Sequence, residues 1–222
     1  MTAPRVVAID GAAGSGKSTL ARGLARSLDL AYVNTGRMYR ALAAAAARSN
    51  VSPGDVRRLR ELIATLNFTL AGIEPPELQV EGYTDHDLTA LEVETTVSTV
   101  AKHPAVREPM LTLQRAFGVG GAVMEGRDIG TVVFPDAPVK FYLTADAPIR
   151  VARRAGERRG DGAAIAHALR ERDDRDAVTN PFEPADGAVV VDTGARGIDE
   201  TLTTALDAIA ERAPWLMPRH DE

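Results

Sequence analysis

Two rhythms of apolar residues alternate along the chain. Short, largely β-branched runs bounded by glycine or polar residues recur at "RVVAID" (5–10), "LAYVNTG" (30–36), "GAVMEGRDIG" (121–130), "VKFYLTA" (139–145) and "GAVVVDTG" (187–194). Each predicts a strand, buried at 5–10, 121–130 and 139–145, and those at 30–36 and 121–130 end in polar turns. Between them the apolar spacing widens to a helical period. Leu20, Leu24 and Leu28 make one stripe over 18–28. Further helices are predicted over 38–49, 57–66, 90–102, 106–117, 149–159, 163–174 and 198–212, with Pro104 splitting the pair around it. "SPGD" (52–55) places a cap at Ser52 and a first helical position at Pro53. One region departs from this order. "NFTLAG" (67–72) and "ELQVEG" (77–82) are short alternating runs around "IEPPE", which predicts a small antiparallel hairpin. Strands alternating with helices imply an α/β fold with a parallel central sheet flanked by helices, the hairpin being an inserted lobe. No repeat or linker divides the chain, so 1–222 is expected to be a single domain.

Composition narrows the chemistry. A hydrophobic share of 45% and a charged share of 26% describe an ordinary globular protein. A net charge of −5 argues against general affinity for nucleic acid or an anionic membrane. The absence of cysteine excludes disulfides, thiol catalysis and cysteine-ligated zinc. No run is long and apolar enough to span a bilayer, and "MTAPRVVAIDG" lacks the features of a signal peptide, so a cytoplasmic location is expected.

The first strand runs into "GAAGSGKST", residues Gly11, Ala12, Ala13, Gly14, Ser15, Gly16, Lys17, Ser18 and Thr19. Gly11, Gly16, Lys17 and Ser18 complete G-x-x-x-x-G-K-[ST]. In such a loop, backbone N–H groups and the following helix's positive end surround phosphate oxygens. Lys17 would bridge the β- and γ-phosphates of ATP, and the Ser18 hydroxyl would ligate Mg²⁺. In an open parallel sheet, the loops after the strands face the ligand crevice. Arg40 in "NTGRMYR" could therefore meet a second phosphate, and Thr35 a sugar hydroxyl; the alternatives are a surface arginine and a helix cap. In "EGRD" (125–128), Arg127 can pair with a phosphate, while Asp128 can accept from ribose or hold Mg²⁺ through water. A cluster follows at Arg150, Arg153, Arg154, Arg158, Arg159, Arg170, Arg172 and Arg175. Around the "RRGDG" break it could close as a flap over a migrating phosphoryl group, or form a solvated face paired with nearby acids.

Together these stretches resemble bacterial cytidylate kinase, the (d)CMP kinase of the nucleoside monophosphate kinase group. The resemblance covers nearly the whole chain. It rests on "IDGAAGSGKST", "NTGRMYR", "VSTVAKHPAVRE", "LQRAF", "EGRDIGTVVFPDAPVKFYLTA", "RERDDRD" and "VVVDTG". It implies a P-loop kinase with a core (1–33, 110–149 and 176–222), a monophosphate-binding lobe carrying the insert (34–109) and a short arginine-rich lid (150–175). It further implies transfer of the ATP γ-phosphoryl to CMP or dCMP, with Mg²⁺, by a monomer that binds neither nucleic acid nor membrane. In that reading Gly11 to Thr19 bind ATP. Thr35, Asp128 and Arg172 contact the CMP ribose, Arg40 and Arg127 clamp its phosphate, and Ser98 and Arg107 read the cytosine edge. Arg153 and Arg154 belong to the lid, and Lys17, Arg127, Asp128, Arg153, Arg154 and Arg172 carry the chemistry. After "RDDRD" the family usually has a serine and an arginine that helps recognise cytosine. Here "AVTNPF" (177–182) replaces them, which keeps UMP or a modified cytidylate open as acceptor. A nucleotide-dependent switch protein is the reading outside the kinases.

Overall fold

A computed structural model describes residues 4–72, 74–157, 162–179 and 183–218. Its frame is a seven-stranded sheet in the order β3-β4-β2-β5-β1-β6-β7. The strands are β1 (Val6–Gly11), β2 (Ala31–Asn34), β3 (Phe68–Ala71), β4 (Glu77–Val80), β5 (Ala122–Glu125), β6 (Val139–Thr144) and β7 (Val189–Asp192). All neighbours pair in parallel except β3, which runs antiparallel to β4. The helices are α1 (Lys17–Leu28), α2 (Thr35–Arg48), α3 (Val56–Ile63), α4 (Asp85–Leu88), α5 (Leu91–Ala101), α6 (Pro104–Gly118), α7 (Ala147–Glu157), α8 (Gly162–Thr179) and α9 (Ile198–Arg212). Among the described residues no helix is long and apolar enough to cross a membrane.

β1 lies inside the sheet and is buried along its whole length. Its side chains alternate between two cores. Val6 and Ala8 join Met38, Leu42, Val97, Met110 and Met124 on one face. Val7 and Ile9 join Leu20, Leu24, Leu28, Phe141 and Ile209 on the other. The alternation explains why β1 reads as a continuous apolar run: a strand covered on both faces needs no polar positions. On the first face, the alanines of α2 from 41 to 46 are all buried, and their small side chains let α2 pack directly against the sheet and α5.

Several elements depart from the sequence reading for identifiable reasons. The hairpin forms, with Phe68 opposite Val80, but it is fused to the main sheet. β4 pairs with β2 at Tyr32 and Glu77, and Arg22 of α1 reaches Glu77 at 2.9 Å. The union covers an edge of β2 that would otherwise expose unpaired backbone groups. α2 begins at Thr35 rather than Met38, because the Asn34 side chain accepts from Arg37 N at 3.2 Å and caps the helix. α3 begins at Val56, capped by Asp55 and not by Ser52, whose carbonyl instead closes a turn to Asp55 N. Pro104 separates α5 from α6 as expected, and it is itself the first residue of α6, which therefore starts two residues before 106. The polar turn at the end of 121–130 continues as a π-type turn over residues 129–133. α8 continues to Thr179, beyond the expected Asp174.

Candidate active site

β1 ends at Gly11, where the phosphate loop starts. A Cβ on Gly11 would sit 2.3 Å from the Leu143 carbonyl oxygen, so only glycine allows the loop to leave between β1 and β6. Gly16 precedes α1 without a side-chain cap, which leaves first-turn N–H groups to the loop. Lys17 is buried, and its Nζ donates to Ala12 O at 2.7 Å across the loop. The loop is braced from behind. Thr193, just past β7, donates to Ser15 O at 2.9 Å. Arg153 donates to Thr193 Oγ1 at 2.9 Å and to Thr193 O at 2.7 Å. Arg150 reaches Ala13 O at 3.2 Å and pairs with Asp173 at 2.6 Å. Arg150 and Arg153, from the cluster expected to cover a migrating group, here hold the donor loop. Arg158 and Arg159, the break at residues 160–161, and residues 180–182 lie outside the described residues.

Opposite the loop, β2, β5, α5 and α8 converge on a second set of groups. Thr35 is buried and donates to Glu125 O at 2.9 Å, which ties the start of α2 to the end of β5. Its donor is thereby engaged, and its lone pairs remain for a sugar hydroxyl. Arg40 lines the cavity, with its Nε buried and without a partner among the described residues. Burial first, and then the like charges of Arg154 and Arg127, push its guanidinium below the ordinary range, against the pull of Glu94 and Glu125. An incoming anion would relieve that stress. Arg127 is oriented by two bonds, Nε to Asp176 at 3.0 Å and an Nη to Gly11 O at 2.8 Å. Ser98 donates to the other Asp176 oxygen at 2.8 Å, and Arg107 pairs with Asp128. Ser98 and Arg107 thus stand at the cavity wall, each already held by a carboxylate. Arg172 lies in α8 one turn before Asp176; its side chain lies outside the described residues.

The sequence reading missed three features of this cavity. Asp176 joins Ser98 to Arg127, although "RERDDRD" reads first as an arginine cluster. The available signal was the spacing of Asp173 and Asp176, three apart and so on one helical face. Glu125 is 3% exposed, bonded by the Tyr32 hydroxyl and by Asn34 Nδ2 at 2.8 Å. Burial and the adjacent Glu125 push the Tyr32 phenol well above its usual range, so it stays a donor. The third feature is a shelf between α1 and α9, at Gly23, Arg26, Arg196, Ile198 and Leu202, which extends the cavity away from the loop.

The phosphate loop, the shelf and the wall opposite the loop line one cavity of about 1060 Å³. Lys17, Arg40, Arg127 and Arg154 all border it, which suits two phosphate-bearing ligands meeting end to end. Ser18 lines the same space next to the Tyr32 hydroxyl, with Glu125 close by. Among the described residues no cluster of three acids or histidines could hold a metal alone. A hydroxyl and a nearby carboxyl group suit a hard cation that keeps several waters and arrives on nucleotide phosphates, as Mg²⁺ does.

Known proteins resemble this chain along nearly its whole length. Residues 7–211 match the family model for cytidylate kinase. The cytidylate kinase of Syntrophotalea carbinolica is 40% identical over 93% of this chain and 92% of its own length. That of Rhodococcus jostii is 41% identical over 95% of this chain and 97% of its own. Among solved structures, a gluconokinase from Sinorhizobium meliloti shares the fold, with a TM-score of 0.50, 16% identity and coverage of 97% of both chains. On the family match and the extent of these identities, the chain belongs to the cytidylate kinase family.

Proposed function

We propose that this protein transfers the γ-phosphoryl group of ATP to the phosphate of CMP or dCMP, giving ADP and CDP or dCDP. The observation that carries the reading is the pairing, across one cavity, of a G-x-x-x-x-G-K-S loop with Arg40 and Arg127, the former with a buried Nε that has no partner among the described residues. The choice of cytidine follows from family membership.

In this mechanism the chain's groups position and neutralise. Amides of 11–19 and Lys17 hold the β- and γ-phosphates, with the nucleoside on the shelf by α9. Arg40 and Arg127 hold the acceptor phosphate, with Thr35, Asp128 and Arg172 toward its sugar and Ser98 and Arg107 toward its base. Ser18 would hold Mg²⁺ brought by the nucleotide, an ion that would supply neutralisation of the phosphate charge. An acceptor oxygen attacks the γ-phosphorus in line as the bond to the β-phosphate oxygen breaks, and no covalent intermediate is needed. Arg154 adds positive charge where the transferred group's negative charge spreads. The division into core (1–33, 110–149, 176–222), acceptor lobe (34–109) and lid (150–175) belongs to the same reading.

The test is a panel of nucleoside monophosphates with ATP and coupled detection of ADP. ADP release should depend on CMP or dCMP and be far slower with UMP, AMP or GMP. Lys17→Ala and Arg127→Ala should each lower kcat/KM at least about 100-fold while melting like wild type. ATP consumption that is indifferent to any monophosphate would overturn the reading.

A further inference from the structure

One buried carboxyl group near the cavity has no part in the mechanism above. Asp10 is the penultimate residue of β1, 6% exposed, and its two oxygens accept separate backbone bonds from Ile129 N and Gly130 N, each at 2.8 Å. Those amides belong to the turn that carries Arg127 and Asp128. The residues on either side of Asp10 grip the same turn: Ile9 O accepts from Gly126 N at 2.9 Å, and Gly11 O accepts from Arg127 at 2.8 Å. The turn is itself stiff. Val132 N and Val133 N both donate to Asp128 O, and Phe134 N donates to Ile129 O. At Gly126 a Cβ would lie 2.6 Å from Thr35 Oγ1, so the turn is wedged against α2 as well. Three consecutive residues of β1 therefore hold the acceptor turn, and the next ones along the chain form the donor loop. Asp10 is the one whose grip is a side chain and can be altered without touching the backbone.

We propose that Asp10 is a positioning residue for phosphoryl transfer, tying the 126–130 turn, and with it Arg127 and Asp128, to the root of the phosphate loop. The inference rests on the kinase reading. In-line transfer needs acceptor and donor phosphates held within a fraction of an ångström, and displacement by about 1 Å can cost about 100-fold. Each substrate alone meets only one side of the tie, so its binding does not require the tie. The transition state spans both sides and does.

Asp10→Asn is the sharpest probe. It preserves shape, but its amide leaves one acceptor oxygen for two N–H groups and turns a second donor toward them. The expected result is a kcat lowered about 10- to 100-fold, with KM for ATP and for CMP each within about threefold of wild type and unchanged CMP binding by calorimetry. A kcat within threefold of wild type, or a loss confined to KM, would overturn the proposal. If wild type transfers to no monophosphate, the kinase reading falls and this inference with it; an active wild type with an equally active Asp10→Asn sinks the inference alone. Should the variant fail to fold, hydrogen exchange on wild type decides. The Ile129 and Gly130 amides should be among the slowly exchanging ones, and exchange as fast as in exposed loops would show that the tie is not made.

Discussion

Burial pushes the Asp10 carboxyl up to about 6, while its bonds to Gly130 and Ile129 pull it down, as does Lys17 against the repulsion of Asp128. Tyr142 also faces it from β6. The same residue therefore carries a stability signature of defined sign. An aspartate in the unfolded chain releases its proton near 3.9. Between about pH 4 and 6 the folded chain still holds the proton that the unfolded chain has lost. Stability from this residue is therefore full below pH 4 and falls as pH rises through the window. Two pH units correspond to about 3 kcal/mol. Asp10→Asn has no such proton. Its stability relative to wild type should rise by up to about 3 kcal/mol between pH 4 and 6.5 and stay level above. Denaturant unfolding of both proteins at several pH values measures this, and a difference constant with pH would show that Asp10 is ionised throughout.

Among the elements, α8 is where sequence and structure diverge most usefully. The strands and the loop after β1 were legible because buried β-branched runs and G-x-x-x-x-G-K-S each leave a local mark. The end of α8 leaves only the three-residue spacing of Asp173 and Asp176, and "RERDDRD" mixes charges that could pair in many ways. Only the approach of α5 and of the turn after β5 selects Asp176, through Ser98 at 2.8 Å and Arg127 at 3.0 Å. Fusion of the hairpin to the sheet was hidden for the same reason, since pairing between β4 and β2 depends on distant strands. Asp176→Ala frees Ser98 and releases one of the two bonds that orient Arg127. It should raise KM for CMP about tenfold or more, with KM for ATP within about twofold, because the donor loop is braced by Arg150, Arg153 and Thr193 instead. Steady-state kinetics with each substrate varied in turn measures the asymmetry. Equal changes in both KM values would mean that α8 acts on the whole cavity and not on its acceptor wall.

At the scale of the molecule, the proposed mechanism draws both ligand stations from one edge of one sheet. β1 ends in the donor loop, β5 beside it ends in the acceptor turn, and their register sets Ile9 against Glu125. The distance between the stations is thus fixed by strand pairing in the core and by the bonds of Ile9, Asp10 and Gly11, so the cavity is continuous from the shelf by α9 to the wall formed by α5. A single compound with adenosine and cytidine joined through five phosphates should then fill both stations at once. Its second half binds at the effective concentration set by the linker, which adds about 100- to 10,000-fold to the affinity of either half. The link must be long enough to span both phosphate stations, so four phosphates should bind less well than five. At one hundred times its Kd the compound adds about 2.7 kcal/mol of stability, a rise in Tm of roughly 5–10 °C for a chain of this length. Calorimetry and thermal melting with the linked compound, with ATP alone and with CMP alone make the comparison. If the linked compound binds no more tightly than ATP, the two stations do not face one another, and direct transfer between them is excluded.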